Sequence, residues 1–180
     1  ATGIMLYRLC TTRLFFSKEK AYICMFMFFS SPFAFFSQFI FCQYDIFTVF
    51  FMVCGLFYYF KDKPTPKDYM MFSLFFGFAL TCKYFAAVIW AVLILVRIKD
   101  ISKIIYYGII CISPFVFEFL VYFIFDRENF IANVIKFPAL DFVKAGYEIA
   151  GMSSIRLMPL ALVLIIAYAY FAYPKSFDEV

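Results

Sequence analysis

The sequence predicts an all-α fold, a polytopic bundle of transmembrane helices in which some helices are broken or re-entrant. Three observations carry this. Of the 180 residues, 66% are hydrophobic, against about half in a soluble domain. Only 16% are charged, and those charges gather between long apolar runs. The runs themselves approach the roughly 20 residues that a membrane-spanning helix needs. Mean hydropathy is +0.91, which puts the chain among integral membrane proteins.

The elements follow in order. "ATGIMLYRLC" reads as the tail of an apolar helix running into Arg8, Arg13, Lys18 and Lys20. This start suggests a fragment of a longer chain. Residues 21–41 form the first span, interrupted by Ser30, Ser31 and Pro32; proline removes a backbone donor and clashes with the preceding turn. The polar triplet Gln43, Tyr44, Asp45 comes next, and Asp45 is suited to cap the helix that follows. That helix, 45–60, runs into "KDKPTPKDY", a lysine- and proline-rich loop. Residues 70–96 are apolar apart from Lys83 and make either a hairpin or one tilted span. "RIKDISK", 97–103, is a second basic loop, and 104–125 a further span carrying Pro114 and Glu118. Residues 126–154 are polar enough to leave the hydrocarbon and have the spacing of amphipathic surface helices. This loop is expected on the extracytoplasmic side. Residues 155–173 form the last span, giving one multi-pass transmembrane region.

Orientation depends on residues 70–96. With both flanks on the same side, the cytoplasmic face carries Arg8, Arg13, Lys18, Lys20, Lys61, Lys63, Lys67, Arg97, Lys99, Lys103 and Lys175. The opposite face carries Arg127, Lys136, Lys144 and Arg156. A single tilted span exchanges everything after it, and the positive-inside tally does not change. The density of basic residues in 97–103 favours the hairpin. The lack of Pro or Gly at the centre of 70–96 favours the single span.

Two compositional facts narrow the chemistry. The chain has no His, which removes Ser-His-Asp and Cys-His catalysis, His-ligated haem and most zinc sites. Its six cysteines, Cys10, Cys24, Cys42, Cys54, Cys82 and Cys111, show no CxxC spacing. They read as small packing residues. The net charge of +4 reflects loops that flank membrane segments, so no nucleic-acid partner is expected. Ionisable groups inside spans are costly and mark function. Asp45, Lys83 and Glu118 are therefore the candidates, with Gln43 and Tyr44 beside Asp45. The structural alternatives are a helix cap for Asp45, a lysine reaching to the interface for Lys83 and a satisfied buried carboxyl for Glu118.

The order of these features carries a resemblance. "SPFAFFSQFIFCQYDIFTVFFMVCGLFYYFKDK", 31–63, resembles the GT-C glycosyltransferases, which take sugars from polyprenyl- or dolichyl-phosphate carriers. In that family a proline precedes a Gln-Tyr-Asp or Gln-Tyr-Asn by about ten residues. Here these are Pro32 and Gln43, Tyr44, Asp45. The family often has Gly before the Gln, where this chain has Cys42. "FGFALTCKYFAAVIW", 76–90, resembles the family's next element, a small-residue helix ending in lysine, with Lys83 in that place and Tyr84 where Pro or Gln often follows. The resemblance covers roughly residues 20–100 and is weak beyond 104.

The resemblance implies a large multi-span hexosyltransferase, mannosyl- or glucosyltransferase-like, of which this chain is part. Its site would lie at the outer membrane face, in the plasma membrane of a prokaryote or the endoplasmic reticulum of a eukaryote. Its partners would be membrane lipid, a polyprenyl-phosphate-linked sugar donor and a glycan, lipid or protein acceptor. Gln43, Tyr44, Asp45, Lys83 and Glu118 would bind substrate. The catalytic acid is expected in an external loop preceding this stretch. No covalent cofactor and no metal ligand is identified in this chain; a divalent metal is left open. The competing readings are a transporter or flippase for a lipid-linked or small polar substrate, and a structural subunit without chemistry.

Overall fold

The computed structural model describes residues 1–31 and 45–131, together with Leu164, Ile165, Ala167 and Tyr168. Every regular element among the described residues is helical. The chain divides into two compact units, Ala1–Trp90 with Asp100–Phe115, and Ala91–Lys99 with Val116–Val180.

The first unit opens with a helical pair, α1 (Thr2–Thr12) and α2 (Lys18–Ser30). The Leu9 carbonyl ends α1 by accepting from the amides of Arg13 and Leu14 at 3.0 and 3.1 Å. Ser17 then caps α2, its hydroxyl accepting from the Lys20 amide at 3.3 Å. α2 stops at Ser30, and Ser31 is extended; a residue before proline is pushed out of the helical region. The two helices run antiparallel, with Tyr7 against Tyr22 at 4.8 Å and Gly3 under Phe29.

α3 (Asp45–Tyr59) and α4 (Pro66–Cys82) form a second antiparallel pair. Its seam is aromatic: Tyr59 meets Phe72 at 5.1 Å, Tyr58 stacks on Phe75 at 5.8 Å and Phe51 meets Phe78 at 5.5 Å. Gly55 admits the Phe76 ring, and Phe72 and Phe76 are fully buried. α1 packs on α3. At their shared end Arg13 donates from Nε to the Phe57 carbonyl at 3.0 Å and lies over the Phe57 ring at 4.3 Å. Phe57 O is among the last four carbonyls of α3, which have no partner within the helix.

The connection between α3 and α4 is clasped by Asp68. Its Oδ2 accepts from the Thr65 amide at 2.7 Å, from the Thr65 hydroxyl at 2.6 Å and from Lys61 Nζ at 3.0 Å. Pro66 occupies the first turn, where its missing N–H is no loss. The stretch Thr65-Pro66-Lys67-Asp68 is a legible helix start, although sequence reading took it only as part of a loop. Burial pushes the Asp68 carboxyl up, but donation from Thr65 and Lys61 outweighs this and holds it below its ordinary value of 3.8. The stabilisation is therefore complete above that value and is lost as pH falls through the lower folded value. Asp68→Asn is expected to cost about 2 kcal/mol at neutral pH and to flatten the acid limb of a melting-temperature profile. A parallel acid limb in both proteins would remove Asp68 from this role.

Residues 70–96 form two helices. α4 ends at Cys82, the backbone of Lys83 is extended, and α5 (Phe85–Arg97) begins two residues after Lys83. The chain doubles back, so that Trp90 Nε1 donates to the buried Ser73 hydroxyl at 3.0 Å. α6 (Ile101–Phe125) starts with Asp100 Oδ1 accepting from the Ser102 amide at 3.0 Å. Its first half runs in the sense of α4: Tyr107 lies by Tyr69 at 5.7 Å, Pro114 by Gly77, and Phe115 by Tyr84 at 6.1 Å. Pro114 cannot donate to the Ile110 carbonyl, and the Ser113 hydroxyl does so instead at 2.8 Å. Helices tolerate an internal proline when such a group replaces the lost donor.

These contacts sort the first unit's polar ends. Arg13, Lys18, Lys20, Lys61, Lys63, Lys67 and Lys103 lie at the end where α1 and α3 finish and α4 and α6 begin. Asp45, Lys83 and Tyr84 lie at the other.

In the described part of the second unit, Phe130 of the single-turn helix α7 (Arg127–Phe130) packs edge-on to Phe119 at 4.7 Å. Arg127 lies over the Phe123 ring at 5.1 Å. Lys99 Nζ donates to the Leu95 carbonyl at 2.7 Å, at the end of α5.

One described helix is long and apolar enough to cross a membrane. α6 has 25 residues, an 18-residue stretch of which has a mean hydropathy of 2.2, and its length of about 37 Å exceeds the roughly 30 Å of hydrocarbon. α3 and α5 are apolar but have 15 and 13 residues, about 22 and 20 Å. The expected break at Pro32, most of the loop at 126–154 and most of the last span lie outside the described residues.

Candidate functional site

The site is built where the end of α4 meets the start of α3. Both helices are close to the same length and run antiparallel, so the residue after the last turn of one arrives beside the first turn of the other. Lys83 Nζ lies 3.0 Å from Asp45 Oδ1. Asp45 is the first residue of α3, and its side chain is paired with Lys83. A helix N-terminus favours a carboxylate because its free amides carry partial positive charge.

The pair is neither buried nor fully solvated. The side chains of Lys83 and Asp45 are 42% and 35% exposed, whereas Asp45 Oδ1 itself is sealed. Both side chains are therefore partly open to a polar ligand, although the carboxylate oxygen in the pair is not. Phe47, Tyr84 and Phe85 flank them in sequence with large exposed ring surfaces. One turn into α3, Thr48 is fully buried and its hydroxyl has no hydrogen-bond partner.

A hairpin over residues 70–96 puts Lys83 at its tip, close to the Gln43-Tyr44-Asp45 triplet, and the structure pairs Lys83 with Asp45 directly. Gln43 and Tyr44, which complete the triplet, lie outside the described residues. Glu118 sits half-buried in the second half of α6, within the second unit; the Asp45–Lys83 pair is made without it. Thr48 gave no signal in sequence, because a lone threonine in an apolar helix is unremarkable.

A divalent metal does not fit the pair. Asp45 supplies one carboxylate and Lys83 places a cation against it, where a hard cation wants several oxygen ligands. Among the described residues no group of three or more His, Cys, Asp or Glu gathers to hold a metal ion. The cysteine thiols of Cys10, Cys54 and Cys111 are buried, in keeping with packing.

No family model, curated protein or solved structure matches this chain.

Proposed function

We propose that this chain is part of a multi-pass membrane glycosyltransferase that takes a sugar from a polyprenyl-phosphate carrier at the outer membrane face. The observation that carries the reading is the Asp45–Lys83 contact. It joins the Gln43-Tyr44-Asp45 triplet to the lysine that ends the next helix, the two motifs of the GT-C resemblance. It also lies at the end of the first unit opposite the basic loops, which the positive-inside rule assigns to the exterior.

The chemistry suits such a place. A lipid-linked donor keeps its tail in hydrocarbon and its phosphate in water, so its headgroup rests where helix ends meet the interface. Lys83 would balance phosphate charge as a compact cation. Asp45, held at the helix start, would accept from sugar hydroxyls. In the transfer, the acceptor oxygen bonds to the anomeric carbon as the bond to the phosphate oxygen breaks. The acceptor proton passes to a carboxylate base, for which the resemblance points to a preceding external loop. The phosphate leaves with its electron pair, and Lys83 offsets the added charge.

A helix break carrying a charged pair is also the mark of transporter sites, and the experiment separates the two. Membranes holding the full-length protein, wild type or Asp45→Ala, are given polyprenyl-phosphate sugars with radiolabel in the sugar. Loss of label from the carrier in the wild type alone supports transfer. Label that crosses the bilayer still attached to its carrier supports transport and overturns the enzyme reading.

A further inference from the structure

We propose that the loop joining α1 and α2 is an interfacial anchor that binds anionic phospholipid, with Phe15 and Phe16 inserted below the headgroups and Lys18 and Lys20 on their phosphates. This rests on the membrane part of the reading above, and is independent of its sugar chemistry.

The loop reads Arg13-Leu14-Phe15-Phe16-Ser17-Lys18-Glu19-Lys20. Phe15 is the one described non-glycine residue with positive φ, at 53°. This left-handed conformation is adopted readily by glycine and at a steric cost by a residue with a Cβ. Phe15 nonetheless occupies it, 74% exposed, and Phe16 beside it is 41% exposed. The turn itself serves the fold, since the Phe16 amide donates to the Cys10 carbonyl at 2.9 Å and closes the end of α1. The ring that it turns outward gains nothing in water and is favoured where the surrounding medium is apolar.

The neighbours supply the other half of an interface. Lys18, Lys20, Lys63 and Lys67 are all exposed at the same end of the first unit. Arg13 is committed to the Phe57 carbonyl and Lys61 to Asp68, so these two hold the scaffold and leave the others to solvent. The acids at this end are Glu19, Asp62, Asp68 and Asp100, of which Asp68 is paired with Lys61 and Asp100 with Lys103. The remaining surface is net basic. Beyond the loop, α2 buries only Ala21 and exposes Tyr22, Ile23, Phe26, Met27 and Phe29. Aromatic rings beneath a basic rim match the layering of an anionic leaflet, apolar below and phosphate above.

The test reconstitutes the full chain into vesicles of phosphatidylcholine mixed with phosphatidylglycerol. Spin-labelled versions of each lipid then report how much of each the protein immobilises. Wild type is expected to retain phosphatidylglycerol preferentially, and Lys18→Gln with Lys20→Gln to lower that preference by about fivefold per lysine. Phe15→Gly provides the sharper contrast. It should raise the melting temperature in neutral detergent, where it relieves strain, and lower the preference for phosphatidylglycerol in vesicles. Equal retention of both lipids by the wild type, or an unchanged preference in the variants, overturns the proposal. Wild type that does not enter vesicles overturns the membrane reading along with it. A phosphatidylglycerol preference in a protein that discharges no sugar carrier sustains the anchor and sinks the transferase.

Discussion

Lys83→Met is expected to lower sugar transfer by about a hundredfold, the loss usual when one preorganised charge-stabilising group is removed. It should leave the fold nearly intact. With side chains 42% and 35% exposed, the pair with Asp45 resembles a surface ion pair, worth about 1 kcal/mol or less. Activity and stability should therefore separate widely. The decisive variant exchanges the charges, Asp45→Lys with Lys83→Asp. A purely structural pair has no preferred direction, apart from the small bias of the α3 N-terminus towards an anion. The exchange would then restore whatever the single changes lose. A site that must hold a phosphate at one position and sugar hydroxyls at the other does have a direction. The expected result is recovered melting temperature with transfer still down by about a hundredfold. Recovered transfer would reduce the pair to a clasp between α3 and α4.

Gly77→Ala is expected to destabilise the protein by about 3 kcal/mol, the upper part of the range for overpacking. A Cβ at Gly77 would run into the carbonyl oxygen of Cys111 and come within 2.9 Å of two Pro114 ring carbons. Neither obstacle is a flexible side chain. The carbonyl belongs to the α6 backbone and the proline ring is rigid, so relief requires the helices to part. Gly108→Ala is the matched control on α6. Its Cβ would meet the Trp90 ring at 3.4 and 4.0 Å, an ordinary contact. Removing a helical glycine there should stabilise by up to about 1 kcal/mol. Thermal melts of the two variants in one detergent should fall on opposite sides of wild type. Equal melts would mean that α4 and α6 do not approach at Gly77.

How far the site was legible depends on the residue. Asp45 and Lys83 stood out because a charge in an apolar run costs free energy unless something repays it. Their nearness follows from the hairpin alternative for residues 70–96, whereas the direct ion pair needs the register of the two packed helices. At Thr65 and Asp68 two signals compete in the sequence: the prolines beside them favour a loop, the capping residues a helix start, and the capping box wins. Phe15 could not have been found. Its composition is ordinary, and only the closure of α1 on the Leu9 carbonyl with the start of α2 at Ser17 forces the backbone between them into a left-handed turn.

The sequence by itself determined that the chain is helical and strongly apolar, that α2 stops before Pro32, and that a basic, proline-rich loop follows α3. Those are local matters, set by side-chain hydropathy and by proline's missing donor. It left open whether residues 70–96 make one helix or two. No Pro or Gly marks Lys83 and Tyr84, so nothing local requires a break there. Tertiary structure decided it, through the Trp90 bond to Ser73 and the packing of Tyr84 on Phe115, contacts that a continuous helix could not make together. The same holds for the Asp45–Lys83 pair. It exists because two antiparallel helices of nearly equal length bring their ends into register, and register is a property of the packed aromatic seam that no single stretch of sequence encodes.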